Sequence, residues 1–181
     1  FNIGAQGQFY IGSIAAVFIS LKFGSLPSFF VISFSLLFSL LAGGLWASLI
    51  GYFKAKFNAN EFLVSMMSTY VAIAVMDYLV RGPLQESKGE YPQTNVIADS
   101  AKIPAVISRT QFHYGFFISI FVVLLIYILL WHTRLGFQIR AVGQNRDAAR
   151  YAGFSEKKIF VIVFMICGPL SALAGFMQVN G

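Results

Sequence analysis

The stretch YGFFISIFVVLLIYILLW, Tyr114 to Trp131, holds no charged residue and no proline. At 1.5 Å per residue a helix over this run covers about 27 Å, close to the roughly 30 Å of a bilayer's hydrocarbon core. Working outward, four further apolar stretches read as spans: Gln8 to Leu21, Ser28 to Phe53, Glu61 to Val80 and Ile159 to Val179. The chain as a whole agrees with this reading, since 57% of its 181 residues are hydrophobic and 11% are charged, where a soluble domain has about a quarter charged. The expected fold is all-α, a single polytopic transmembrane helix bundle with about five spans. Disordered and collagenous chains are excluded, as is a basic nucleic-acid-binding tail. No intrachain disulfide is possible with one cysteine, Cys167.

Connectors fall at Lys22 to Pro27, Lys54 to Asn60, Arg81 to His113 and His132 to Lys158. Cytoplasmic loops carry the excess of Lys and Arg. The Lys54–Asn60 and 132–158 connectors hold eight such residues, among them Arg134, Arg140, Arg146, Arg150, Lys157 and Lys158. The opposite side holds five: Lys22, Arg81, Lys88, Lys102 and Arg109. The 132–158 connector is therefore placed in the cytoplasm and the 81–113 connector outside. Tyr52, Phe53, Phe112, Tyr114 and Trp131 fall near span ends, as an interfacial aromatic belt requires. His113 and His132 lie at opposite ends of one span. The chain opens on Phe with no basic segment before its first apolar block, which reads as a piece of a longer protein.

Small residues recur every four positions at Gly43, Ala47 and Gly51, and again at Gly168 and Ala172, with Ser171 and Gly175 as a second row. Leu gains little by burial against Leu in lipid, so such ladders, which let backbones approach, mark helices of a bundle interior. Pro169 removes one backbone hydrogen bond from the last span and is expected to kink it.

The cytoplasmic connector contains a second signal. In QNRDAARYAG, Asn145 suits an N-cap, Asp147 complements the helix dipole, and Ala148, Ala149 and Ala152 favour helix. Gly153 suits a left-handed C-terminal cap. These residues predict an isolated helix over Arg146 to Ala152, too short to hold without packing or a partner. Its alanines give little bulk and Tyr151 gives an aromatic anchor, a combination suited to a groove; the alternative is a basic loop lying on anionic headgroups.

Polar residues inside spans mark candidate pathway positions. Asn2, Gln6 and Gln8 lead into the first span, interleaved with Gly4 and Gly7, which allow a broken helix facing protein or a watery cavity. Ser65, Met66 and Thr69 lie on one stretch of the third span. Asn60 reads as an N-cap with Glu61 in the first turn, and Asp77 stands one turn before Arg81. An acid within a span also leaves open an ion-coupled carrier, with Glu61 or Asp77 as its ion site. No Gly-rich phosphate loop ending in Gly-Lys-Ser or Gly-Lys-Thr is present, so ATP is not expected to bind this chain.

FNIGAQGQ (Phe1 to Gln8), AGGLW (Ala42 to Trp46), NEFLVSMMSTY (Asn60 to Tyr70) and above all GFQIRAVGQNRDAARYAGF (Gly136 to Phe154) resemble the permease subunits of bacterial ABC importers of the branched-chain amino acid and simple sugar group. The nucleoside-type branch is the nearest match, with monosaccharides and then branched-chain amino acids as alternative substrates. The resemblance implies a transport subunit and not an enzyme, in the bacterial inner (cytoplasmic) membrane. It pairs with a second permease chain, the same or different, and with ABC ATPase subunits that use ATP and Mg; the chain itself binds no cofactor. An extracytoplasmic substrate-binding protein faces the 81–113 loop, membrane lipid surrounds the spans, and no nucleic acid polymer is involved. The 146–152 helix becomes the coupling helix, with Arg140, Gly143, Asn145, Asp147, Ala148, Ala149, Tyr151 and Gly153 as the ATPase-coupling residues. Gln6 departs from the family, where an acidic residue is common at this position.

Overall fold

The computed structural model describes residues 2–86, 91, 93–104, 106 and 113–181. Lys88, Arg109 and Phe112, counted above for orientation and the aromatic belt, lie outside these residues. In chain order the helices are α1 (Ala5–Lys22), α2 (Ser28–Phe57), α3 (Glu61–Arg81), α4 (Gly115–His132), α5 (Arg134–Gln144), α6 (Arg146–Tyr151) and α7 (Glu156–Asn180). A single turn of 3-10 helix, Asp99–Ala101, lies between α3 and α4. Among the described residues there is no strand; Gln85 and Thr94 form an isolated antiparallel bridge.

Among the described residues four helices are long and apolar enough to cross a membrane by length and composition: α2, α3, α4 and α7. The expected first span, 8–21, is present as α1, but Gln6, Gln8, Ser13 and Ser20 dilute its apolar character. Packing against α2, α3 and α7 holds it instead. Several boundaries also move outward. α2 continues past Phe53 to Phe57 and α7 begins at Glu156, before Ile159, because Lys54, Lys56, Lys157 and Lys158 can extend their charges to water from a helical backbone.

The core is the meeting of α1, α2 and α7. α2 is apolar all round, so hydrophobicity cannot decide which face turns inward; size does. Its buried face is Val31, Ser35, Ser39, Gly43, Ala47 and Gly51, each four residues from the last, while Phe30, Phe34, Phe38, Leu41, Leu45 and Leu49 stand outward. The seam admits no added bulk. A methyl group on Gly168 would stand 2.5 Å from Ala47 Cβ, and one on Gly12 2.5 Å from Ala172 Cβ. Gly43 likewise faces Ala172 directly, and Gly44 lies under the ring of Pro169. Ser39 Oγ, on the same face of α2, donates to the Ala172 carbonyl at 3.0 Å.

α4 lies outside this core. Of its residues only Gly115 is buried, and Phe121, Val123 and Trp131 are each more than half exposed. It meets the rest of the molecule mainly through α5. The turn between them is closed by Thr133, whose hydroxyl accepts from Gly136 N at 3.1 Å. Gly136 is required there, because any side chain would run into the Leu129 and Leu130 carbonyls. Asp77 and Arg81 share α3 but form no ion pair; both are exposed, where such a pair gains little.

Replacing Gly168 by Leu should overfill the α2–α7 seam, at a cost of about 1–3 kcal/mol or more. The thermal unfolding midpoint of the protein in detergent should fall by several degrees or the folded fraction should vanish. Gly143→Ala, on a surface with nothing within 4 Å, should leave that midpoint unchanged or slightly higher.

Candidate functional site: a polar α1–α3 seam and a displayed short helix

The pathway candidates are brought together by α1 and α3. The helix break expected around Gly7 does not occur. Gly4 caps α1 and Gly7 lies inside it, buried because a methyl group there would stand 2.9 Å from Thr69 Cα. Asn2 folds back over the helix start. Its Oδ1 accepts from Gly4 N at 3.2 Å, and its amide pairs reciprocally with Gln8 at 3.0 and 3.3 Å. Gln8 is fully buried, so its amide is spent inside the chain. Gln6 faces outward and donates to Tyr10 Oη at 3.2 Å.

α1 begins at depth. Gly4 is level with Ile50 of α2 and Ser65 of α3, and seven more residues of α2, about 10 Å of helix, continue beyond that level. On α3, Ser68 and Thr69 hydroxyls both donate to the Ser65 carbonyl. The Ser65 hydroxyl is fully buried without a partner. Met66 is half-buried beside it. An open apolar cleft of about 340 Å³ adjoins this seam between α2 and α3, lined by Trp46, Ile50, Phe53, Val64 and Met67 among others.

The expected short helix is present as α6, ending at Tyr151 with Ala152 as its cap residue. Asn145 is extended and its Oδ1 accepts from Ala148 N at 3.0 Å. Gly153 has φ +84°, the left-handed conformation its position requires. The residues expected to contact an ATPase do not share one face. Ala149 is buried against Val142 and Ile159, with Ile139 and Phe154 around them, so it seats α6 on the protein itself. Asp147, Ala148 and Arg150 are exposed, and Tyr151 is 95% exposed. Arg140 turns away toward α4, its guanidinium 4.3 Å from the Trp131 ring. Gly143 stands open on α5. Sequence reading missed α5 as a helix, although Thr133 three residues before Gly136 was a usable cap signal.

The other end of the bundle carries a buried polar network that the sequence reading also missed. Asn180 Nδ2 donates to Ser20 Oγ at 3.0 Å and to the Ala101 carbonyl at 2.8 Å. Ser20 shares a 2.8 Å hydrogen bond with Ser35, which donates to the Ala16 carbonyl. Ile103 N donates to the Asn180 carbonyl, and Ser100 Oγ donates to the Gly24 carbonyl at 2.7 Å. Together they tie the segment around Asp99–Ala101 to α1, α2 and α7. On its exposed side the Lys102 ammonium, hydrogen-bonded to Asp99 at 2.6 Å, holds that carboxyl below the usual carboxylate range.

A helix bundle closed by small residues, with four apolar membrane-length helices and a capped side helix at one end, defines a multi-pass membrane protein. The chain belongs to the family described as the permease component of branched-chain amino acid transport systems, whose model matches residues 1–181. It is 32% identical to a glucose ABC transporter permease protein of Haloferax volcanii, over 100% of this chain and 50% of the relative. It is 30% identical to a guanosine ABC transporter permease protein of Bacillus subtilis, over 98% and 51%, and 26% identical to a nucleoside ABC transporter permease protein of Lactococcus lactis, over 97% and 50%. The chain thus spans about half the length of the curated relatives it matches. No solved structure matches it.

Asn180→Ala should release the segment around Asp99–Ala101, removing two hydrogen bonds at a cost of about 1 kcal/mol. Amide hydrogen exchange over residues 99–103 should rise about fivefold, while α2 residues 43–51 keep their protection.

Proposed function

We propose that this chain forms part of the translocation pathway of an ABC importer in the cytoplasmic membrane of its cell, and that it carries nucleosides. In this reading a second permease chain completes the pathway, separate ATPase subunits supply ATP and Mg chemistry, and an extracytoplasmic binding protein delivers substrate to the side held by Asn180. The observation that carries the proposal is α6. A helix of six residues is unstable alone, yet this one is capped at both ends, seated through Ala149, and turns Asp147, Arg150 and Tyr151 outward. An ion-coupled carrier has no use for such a displayed helix. An importer needs it, because ATP hydrolysed in another subunit must reach the spans through a contact.

The outward face differs from the one expected of the alanine pair, so the probe is Tyr151 or Ala148, not Ala149. Two of the relatives above bear nucleoside names and one a sugar name; guanosine and glucose are therefore the discriminating substrates.

In the full-length protein purified from membranes, an ATPase subunit should be recovered in comparable amount, and Tyr151→Asp should reduce that recovery at least tenfold without lowering the unfolding midpoint. A permease that purifies and transports alone would overturn the reading. In reconstituted vesicles with the partner subunits, labelled guanosine should accumulate with ATP and glucose should not; the reverse result would assign the sugar.

A further inference from the structure

At the α6 end of the bundle, charged groups from four helices gather around one aromatic ring. Phe160, half-buried in the second turn of α7, has the Arg146 guanidinium 5.2 Å and the Lys54 ammonium 5.8 Å from its ring centre. Each cation also has its own carboxylate. Lys54 pairs with Glu61 at 3.0 Å and Arg146 with Glu156 at 3.5 Å. Arg146 opens α6, Lys54 lies in the last turns of α2, Glu61 opens α3 and Glu156 opens α7.

Cations within about 6 Å of a ring are attracted to its π face, an attraction less directional than a hydrogen bond. Two cations sharing one ring repel each other, and here each is offset by a carboxylate on a different helix. The Lys54–Glu61 arm is the more sheltered, with side chains 15% and 22% exposed, so salt screens it less than the outer pair. The result is a continuous line of contacts from the start of α6, through Phe160 and Lys54, to the start of α3. Ser65 lies one turn further along α3, against Gly4 of α1.

We propose that Phe160 is a positioning residue that transmits displacement of α6 to the N-terminal end of α3, and so to the α1–α3 seam. The inference rests on the coupling role of α6 and adds the route by which that role reaches the spans. Because the ring holds both cations by a weakly directional attraction, α6 can shift and still pull Lys54 and, through it, Glu61.

The test uses the full-length permease with its ATPase partner, followed by hydrogen exchange with and without ATP plus vanadate, a readout that needs no transported substrate. In the unsubstituted complex, trapping should change exchange about fivefold both at residues 146–151 and at 61–69, within the usual range of coupling between sites. Phe160→Leu keeps apolar volume but loses the π face; it should keep the ATPase subunit and the response at 146–151 and lose that at 61–69. Phe160→Trp should restore it. Lys54→Gln, remote from the core seam, should give the same loss and serves if Phe160→Leu fails to assemble. Retention of the 61–69 response in either variant overturns the proposal, as does loss of the ATPase subunit from Phe160→Leu with Lys54→Gln unaffected. Absence of any response at 146–151 in the unsubstituted complex would instead overturn the coupling role of α6.

Discussion

Everything in this molecule depends on the closeness with which α2 and α7 approach each other. Among lipid tails apolar burial gains almost nothing, so a membrane bundle is held by dispersion at short range and by hydrogen bonds that have no competitor. Gly43, Ala47, Gly168 and Ala172 supply the first and Ser39 the second. The same closeness makes room for α1, which buries Gln8 and Ser20 and enters the group through Gly12, opposite Ala172. Its buried amide pairs with Asn2 and never meets hydrocarbon unpaired.

From this rigid centre the two ends of the bundle diverge in character. At the Asn180 end a network of Ser and Asn side chains fastens a loop segment to three helices. It is uncharged and fully buried, the arrangement suited to a fixed surface. The α6 end is charged, partly exposed and joined by ion pairs and ring contacts, interactions whose energy changes little as the groups slide.

α4 and α5 complete the α6 end of the bundle. α4 touches little of the core, but its end sets the direction of α5 through Thr133 and the side-chain-free Gly136. α5 then delivers Val142 to the site where Ala149 and Ile159 meet. α6 is thus held from the α4–α5 arm and from α7 at once, and a push on its exposed face is shared between them. The relatives' names agree in class while differing in substrate.

The sequence by itself determined the all-helical membrane class, since blocks such as Tyr114 to Trp131 have no other stable solvent. It also determined α6, because Asn145, the alanines and Gly153 are local signals read within one turn. The small-residue ladders were legible for the same reason, as a period of four. Tertiary structure alone decided which alanine of α6 faces inward, because helix propensity is blind to direction and only Val142 and Ile159 select Ala149. It decided that Gln8 is consumed by Asn2, that α1 packs between α2, α3 and α7, and that Ser20, Ser35 and Asn180 meet across 160 residues of chain. Those outcomes depend on contacts between distant segments, whose energies do not exist until the α2–α7 seam has closed.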